Sequence, residues 1–173
     1  FYFQTMDSPM KAYLAGAIEH APDKGKAWRT EMAEFLKTDL GHDSYNPHIE
    51  EPLILTPDER KVFRRLKTEN LPEFQKIVRK LIRNDIHSIL NEIDYIICLW
   101  DEYAEKGGGT YGELTFAYYY NIPVYMVTSM ELSTISGWIL GCTTEFFKDF
   151  DELKRFLRKK YWEYLSFPVK KAL

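Results

Sequence analysis

Cysteine is nearly absent: Cys98 and Cys142, far apart, are the two in 173 residues. Such a pair makes neither a disulfide framework nor a zinc site, and a reduced, cytoplasmic setting fits it. The four histidines, His20, His42, His48 and His87, show no i,i+4 or CxxC-type spacing, so no metal centre is expected. No apolar run approaches the ~18 residues of a membrane span, and no n-region/h-region pattern marks a secretory signal. The GxSxG elbow and the GxxxxGKS/T loop are missing, as is a GxGxxG after the first strand. Serine hydrolase, P-loop and dinucleotide-binding chemistries therefore lack their signals. A net charge of −3 provides no general attraction to nucleic-acid polymers or anionic membranes.

What remains is ordinary globular material, 45% apolar and 28% charged, enough for one packed domain. FYFQ before Thr5-Met6 reads as the scar of a cleavable tag, so residues 1–5 are set aside and the domain is taken as 6–173. Lys11–Gly16 (KAYLAG) predicts a first strand, with Gly16 allowing a tight turn or close approach of a ligand. Apolar positions Ala27, Trp28, Met32, Phe35 and Leu36 predict a helix over Asp23–Lys37, closed by Gly41. His42–Pro57 reads as a polar segment with a very short strand at Ser44–Tyr45, then a loop through Asn46, Pro47 and His48. Two helices follow, Asp58–Lys67 and Glu73–Asn91, separated by Asn70-Leu71-Pro72. They carry nine Lys/Arg between Arg60 and Arg83. Those cations read either as a solvated face or as a rim for a phosphorylated ligand. A last helix is expected over about Asp149–Tyr161.

The organising stretch is Ile93–Val127. It holds two strand-like runs, Tyr95–Trp100 and Pro123–Val127, around the glycines Gly107–Gly109 and a short helical segment, Leu114–Tyr120. Strand, glycine loop, helix, strand is a βαβ unit with parallel strands. The whole pattern predicts a three-layer, flavodoxin/Rossmann-like α/β fold, with about four or five mostly parallel strands and helices on both faces. Ligands of such sheets sit outside the carboxyl ends of the strands. Glu113, read as lying in the first turn of its helix, stands there. It can be a surface glutamate complementing the helix dipole or a chemical group. Asp85 flanks a core-facing stripe on the preceding helix, either as a surface acid paired with arginine or as a partner of Glu113. Tyr13, in the first strand, either packs or brings a phenol to the same mouth.

At these residues the chain resembles the nucleoside 2-deoxyribosyltransferases and the related 2′-deoxynucleoside 5′-monophosphate N-glycosidases. The landmarks are YLAG at Tyr13–Gly16, NDI at Asn84–Ile86 with DYII at Asp94–Ile97, and GGGTYGEL at Gly107–Leu114 leading to NIPVYMV at Asn121–Val127. A weaker one is LSTISGW at Leu132–Trp138. The resemblance implies Glu113 as the nucleophile that attacks C1′ of the sugar, Asp85 as the aspartate that helps protonate the departing base, and Tyr13 as the residue that holds the nucleophile. It implies Gly16, Gly109, Thr110 and Gly112 as a cradle for sugar and 5′ group. Ser133 would reach across to a neighbouring subunit's pocket, making a homo-oligomer. Substrates would be a small nucleoside or nucleotide, with no metal and no cofactor. A non-catalytic nucleotide-binding sensor on the same fold is the alternative. One position departs from the pattern: where transferases of the family commonly carry an aspartate, and the monophosphate hydrolases a serine, this chain has Gly107. Asp101, Glu102 and Glu105 are the upstream acids that could substitute.

Overall fold

The computed structural model describes residues 8–166, so the reading of residues 1–5 falls outside it. Five parallel strands form one sheet: β1 (Lys11–Gly16), β2 (Asp43–Tyr45), β3 (Tyr95–Leu99), β4 (Val124–Val127) and β5 (Glu145–Phe147), in spatial order β2-β1-β3-β4-β5. Every pairing is parallel, so the expected three-layer α/β sheet is present with no antiparallel strand among the described residues. The three inner strands, β1, β3 and β4, read as nearly continuous apolar runs because helices cover both faces.

Side-chain alternation divides the core in two. Ala12, Leu14, Tyr95, Ile97, Tyr125 and Val127 face α1 (Lys26–Phe35, extended by a π-helical turn, Leu36–Leu40) and α7 (Phe150–Ser166). Tyr13, Ala15, Ile96, Cys98, Val124 and Met126 face the other layer, built from α4 (Leu71–Asn91), α5 (Gly108–Tyr119) and α6 (Gly137–Cys142). Tyr13 therefore points toward the helices that carry Asp85 and Glu113. A satellite cluster of Leu55, Phe63 and Ile77 ties α3 (Pro57–Glu69) to α4.

Two elements differ from the sequence reading. The segment read as a loop at Asn46-Pro47-His48 starts a helix, α2 (Pro47–Ile54). The Asn46 side chain accepts from the His48 N–H, and Pro47 takes the first helical position, where no N–H is needed. Helix α5 also begins at Gly108, six residues before the expected start, which puts Gly108 and Gly109 inside its first turn, Gly107 at its N-cap and Glu113 in its second turn. Weak glycine propensity hides such a turn from any sequence pattern. The separation of α3 from α4 matches expectation, with a Thr56–Glu59 capping box opening α3 and Asn70 capping α4.

Candidate active site

In a sheet of this topology the strand order reverses between β1 and β3, and a crevice opens outside their carboxyl ends. A cleft of about 190 Å³ lies there. Its walls are the segment after β1 (Gly16–His20), the first turn of α5 (Gly108–Thr110, with Gly107 before it), and Pro47, Glu51, Arg64 and Leu81 from α2, α3 and α4. Asp85 and Glu113 both line it. No added Cβ would meet protein atoms within 4 Å at Gly108 or Gly109, and at Gly107 only the Ala104 carbonyl, at 3.8 Å. The protein's own packing does not require those glycines. They leave the start of α5 bare toward the cleft.

Glu113 is held from β1. The Tyr13 hydroxyl donates to Glu113 Oε1 at 2.7 Å, while Oε2, sealed from water, has no hydrogen-bond partner among the described residues. Burial pushes the Glu113 carboxyl up to about 7; the Asp85 charge adds to this, and the Tyr13 hydrogen bond and the Arg29 charge work against it. Asp85 is raised to about 6, again chiefly by burial. Tyr45, from β2, donates to Asp85 Oδ1 at 3.2 Å and receives the Asn84 amide. The Tyr13 and Tyr45 rings stack at 5.0 Å with 9° between planes. One stacked tyrosine pair thus serves both carboxyls. Burial followed by the Glu113 charge drives the Tyr13 hydroxyl well above its usual range, so it stays a proton donor to Glu113.

Of the residues singled out in the sequence, Tyr13, Asp85 and Glu113 come together. Gly16, Gly109 and Thr110 line the cleft. Gly112 and Ser133 are exposed and do not line it within the single chain. Asp101 does not line it either: its carboxylate accepts the N–H groups of Tyr103 and Ala104 in the turn before α5, and Tyr103 is the residue that reaches the cleft. Sequence reasoning missed Tyr45 and Arg29. It also overweighted the basic helices. Lys61, Arg65, Lys76 and Lys80 pair with Asp58, Glu69, Glu73 and Glu59, and Lys67 pairs with Glu19. Arg64 alone of the nine lines the cleft, bridging Glu19 at 3.1 Å and Glu51 at 3.8 Å. The solvated-face reading accounts for the rest.

No protein-family model matches the chain, nor does any curated protein. Solved structures do. A 2-deoxyribosyltransferase from Bacillus psychrosaccharolyticus, described as a biocatalyst for nucleoside synthesis, aligns with a TM-score of 0.54 at 18% identity, over 83% of this chain and 90% of its own. The fold is that of a 2-deoxyribosyltransferase. A conserved protein from Enterococcus faecalis V583 gives a TM-score of 0.56 at 13% identity, over 88% of this chain and 99% of its own. At these identities the likeness to the deoxyribosyltransferase is one of fold. The case for chemistry rests on the two carboxyls.

Proposed function

We propose that the protein cleaves the N-glycosidic bond of a nucleoside or its 5′-monophosphate by double displacement through Glu113. The supporting observation is the state of that carboxylate. One oxygen is fixed by Tyr13 and the other has no hydrogen-bond partner among the described residues, at the edge of a cleft that also holds Asp85. Breaking this bond develops positive charge at C1′ and negative charge on the base. A fixed carboxylate answers the first by forming a glycosyl ester, and Asp85, with its raised affinity for protons, answers the second as proton donor. The sugar then passes to another nucleobase or to water, depending on which acceptor fills the cleft. No metal or cofactor enters the scheme. Gly16, Gly109 and Thr110 border the sugar, and Ser133 joins the site of a second copy when one docks. Tyr118, Tyr119, Tyr120 and Trp138, all more than half exposed, supply an aromatic face for that docking.

Incubation with deoxynucleosides and their monophosphates, with and without a second free base, tests the reading. Free base should appear, Glu113→Ala should abolish it, and mass spectrometry should find a glycosyl unit on the Glu113 peptide. No release from any substrate, with retained binding, would instead identify a sensor, the reading that the bare Gly107 position favours.

A further inference from the structure

One guanidinium, Arg64, lines the cleft, against four carboxylates: Glu19, Glu51, Asp85 and Glu113. The charge of that guanidinium is already spent. Its Nη1 meets Glu19 Oε2 at 3.1 Å, and its Nη2 stands 3.8 Å from Glu51 Oε1. The other oxygen of Glu19 accepts from Lys67 Nζ at 3.2 Å. Arg64 and Lys67 lie three positions apart on α3 and so share a face of it, from which both hold Glu19. The guanidinium also lies over the Phe63 ring, 4.4 Å from its centroid.

This rim is neutral by pairing, not by want of cations. Two acids from outside α3, Glu19 after β1 and Glu51 in α2, cancel two cations that would otherwise form a phosphate pocket. Inside the rim, Asp85 and Glu113 carry at least one negative charge between them once either ionises. The bare start of α5 offsets only about half a charge, the share of a helix N-terminus. A 5′-phosphate would bring ~1.5–2 further negative charges into this space. To reach Arg64 it would have to displace a carboxylate that two cations hold. Lys24 and Arg60 stand beyond these ion pairs, in a separate cavity that shares Glu19, Glu51 and Arg64 as a wall. Building in groups that oppose the wrong ligand is a direct route to specificity.

We propose that Glu19 and Glu51 are specificity-determining residues that turn away a phosphorylated substrate, leaving the cleft to the uncharged nucleoside. The proposal rests on the glycosidic reading for turnover, and its charge argument applies equally to binding.

The test compares the four common deoxynucleosides with their 5′-monophosphates on the intact chain, by kcat/KM for base release and by calorimetric Kd. The wild type should favour the nucleoside by about tenfold or more, the size expected for partly screened charges a few ångström beyond contact. Glu19→Gln with Glu51→Gln frees Arg64 and Lys67. The double variant should narrow the gap about tenfold through a lower KM for the monophosphate. Added salt should narrow the gap in the wild type and have less effect in the variant. A wild type that takes the monophosphate as well as the nucleoside overturns the proposal. So does a double variant in which both substrates shift alike, the outcome if the ion pairs only tie α2 and α3 to the segment after β1. If the double variant does not fold, Glu51→Gln decides, because it keeps the Glu19 contacts: a narrowed gap supports the proposal and an unchanged one overturns it. Absence of base release from every substrate would sink the glycosidic reading alone, and the Kd ratio would still decide this one. Equal Kd values for nucleoside and monophosphate, or binding of neither, would overturn it.

Discussion

Two carboxyls, Glu113 and Asp85, share a cleft with too little water to ionise both easily. Burial raises each, Glu113 to about 7 and Asp85 to about 6, so near neutrality the pair tends to hold one proton and one charge. Base release needs the proton on Asp85 and the charge on Glu113, the minor of the two arrangements because Glu113 holds its proton more tightly. Below about 6 both groups are protonated and no nucleophile exists; above about 7 both are charged and no proton donor remains. A bell-shaped profile with its maximum between those limbs is the expected outcome of steady-state assays. Asp85→Asn removes a like charge, so the Glu113 midpoint should fall below its wild-type position while base release drops by ~10²–10⁴-fold. Stability carries the same signature with its own sign. Glu113 binds its proton more tightly folded, at about 7, than at the ordinary 4.5. Folding therefore weakens as pH rises through that interval, and the penalty is complete above it. Glu113→Gln should melt higher than the wild type at about pH 8 and be inactive, each kcal/mol gained appearing as about 2–4 °C. Equal melting of the two proteins at that pH would contradict the burial argument. Tyr13 and Asp85 were legible as candidates beside Glu113. Tyr45 was not, because a tyrosine in a three-residue strand carries no spacing signal and acquires its role only when β2 pairs with β1.

At the scale of elements, β1, β3, β4 and the α3–α4 break could be read from apolar runs and capping residues, since both are local, whereas the three-residue β5 was not read as a strand. Helix α2 was hidden because its apolar positions are few and Pro52 interrupts it, although Asn46-Pro47 was a start signal in plain view. It matters because Pro47 and Glu51 wall the cleft. Asn46→Ala removes the cap and should cost about 1 kcal/mol, read by denaturant melts. The first turn of α5 makes a sharper prediction. At Gly109 a methyl group meets no protein atom, and alanine favours helix over glycine by about 1 kcal/mol. Gly109→Ala should thus raise the melting temperature and also raise KM, because the methyl fills space that we assign to the sugar. A stabilised variant with unchanged KM would move the sugar elsewhere.

For the molecule as a whole, the parallel order followed from alternating strand and helix patterns, and the site from the reversal between β1 and β3. Local patterns yield only part of the distribution of surface charge: the i,i+3 and i,i+4 pairs are legible, and the pairs between segments are not. The nine cations of α3 and α4 look like a ligand rim in the sequence, but most spend their charge on acids one helical turn away or on a neighbouring segment. The exposed aromatic face on α5 and α6 is the better candidate for contact between copies. Sedimentation should give a species larger than one chain, and Tyr119→Ser with Trp138→Ser should shift it toward monomer.

The sheet's own margins bear on how such an assembly can form. Its two outer strands, β2 and β5, are three residues each. An edge that short offers little unpaired backbone for another chain to extend. Ribbon-like growth through the sheet is thereby disfavoured in the folded state, which leaves side-chain surfaces for any contact between copies.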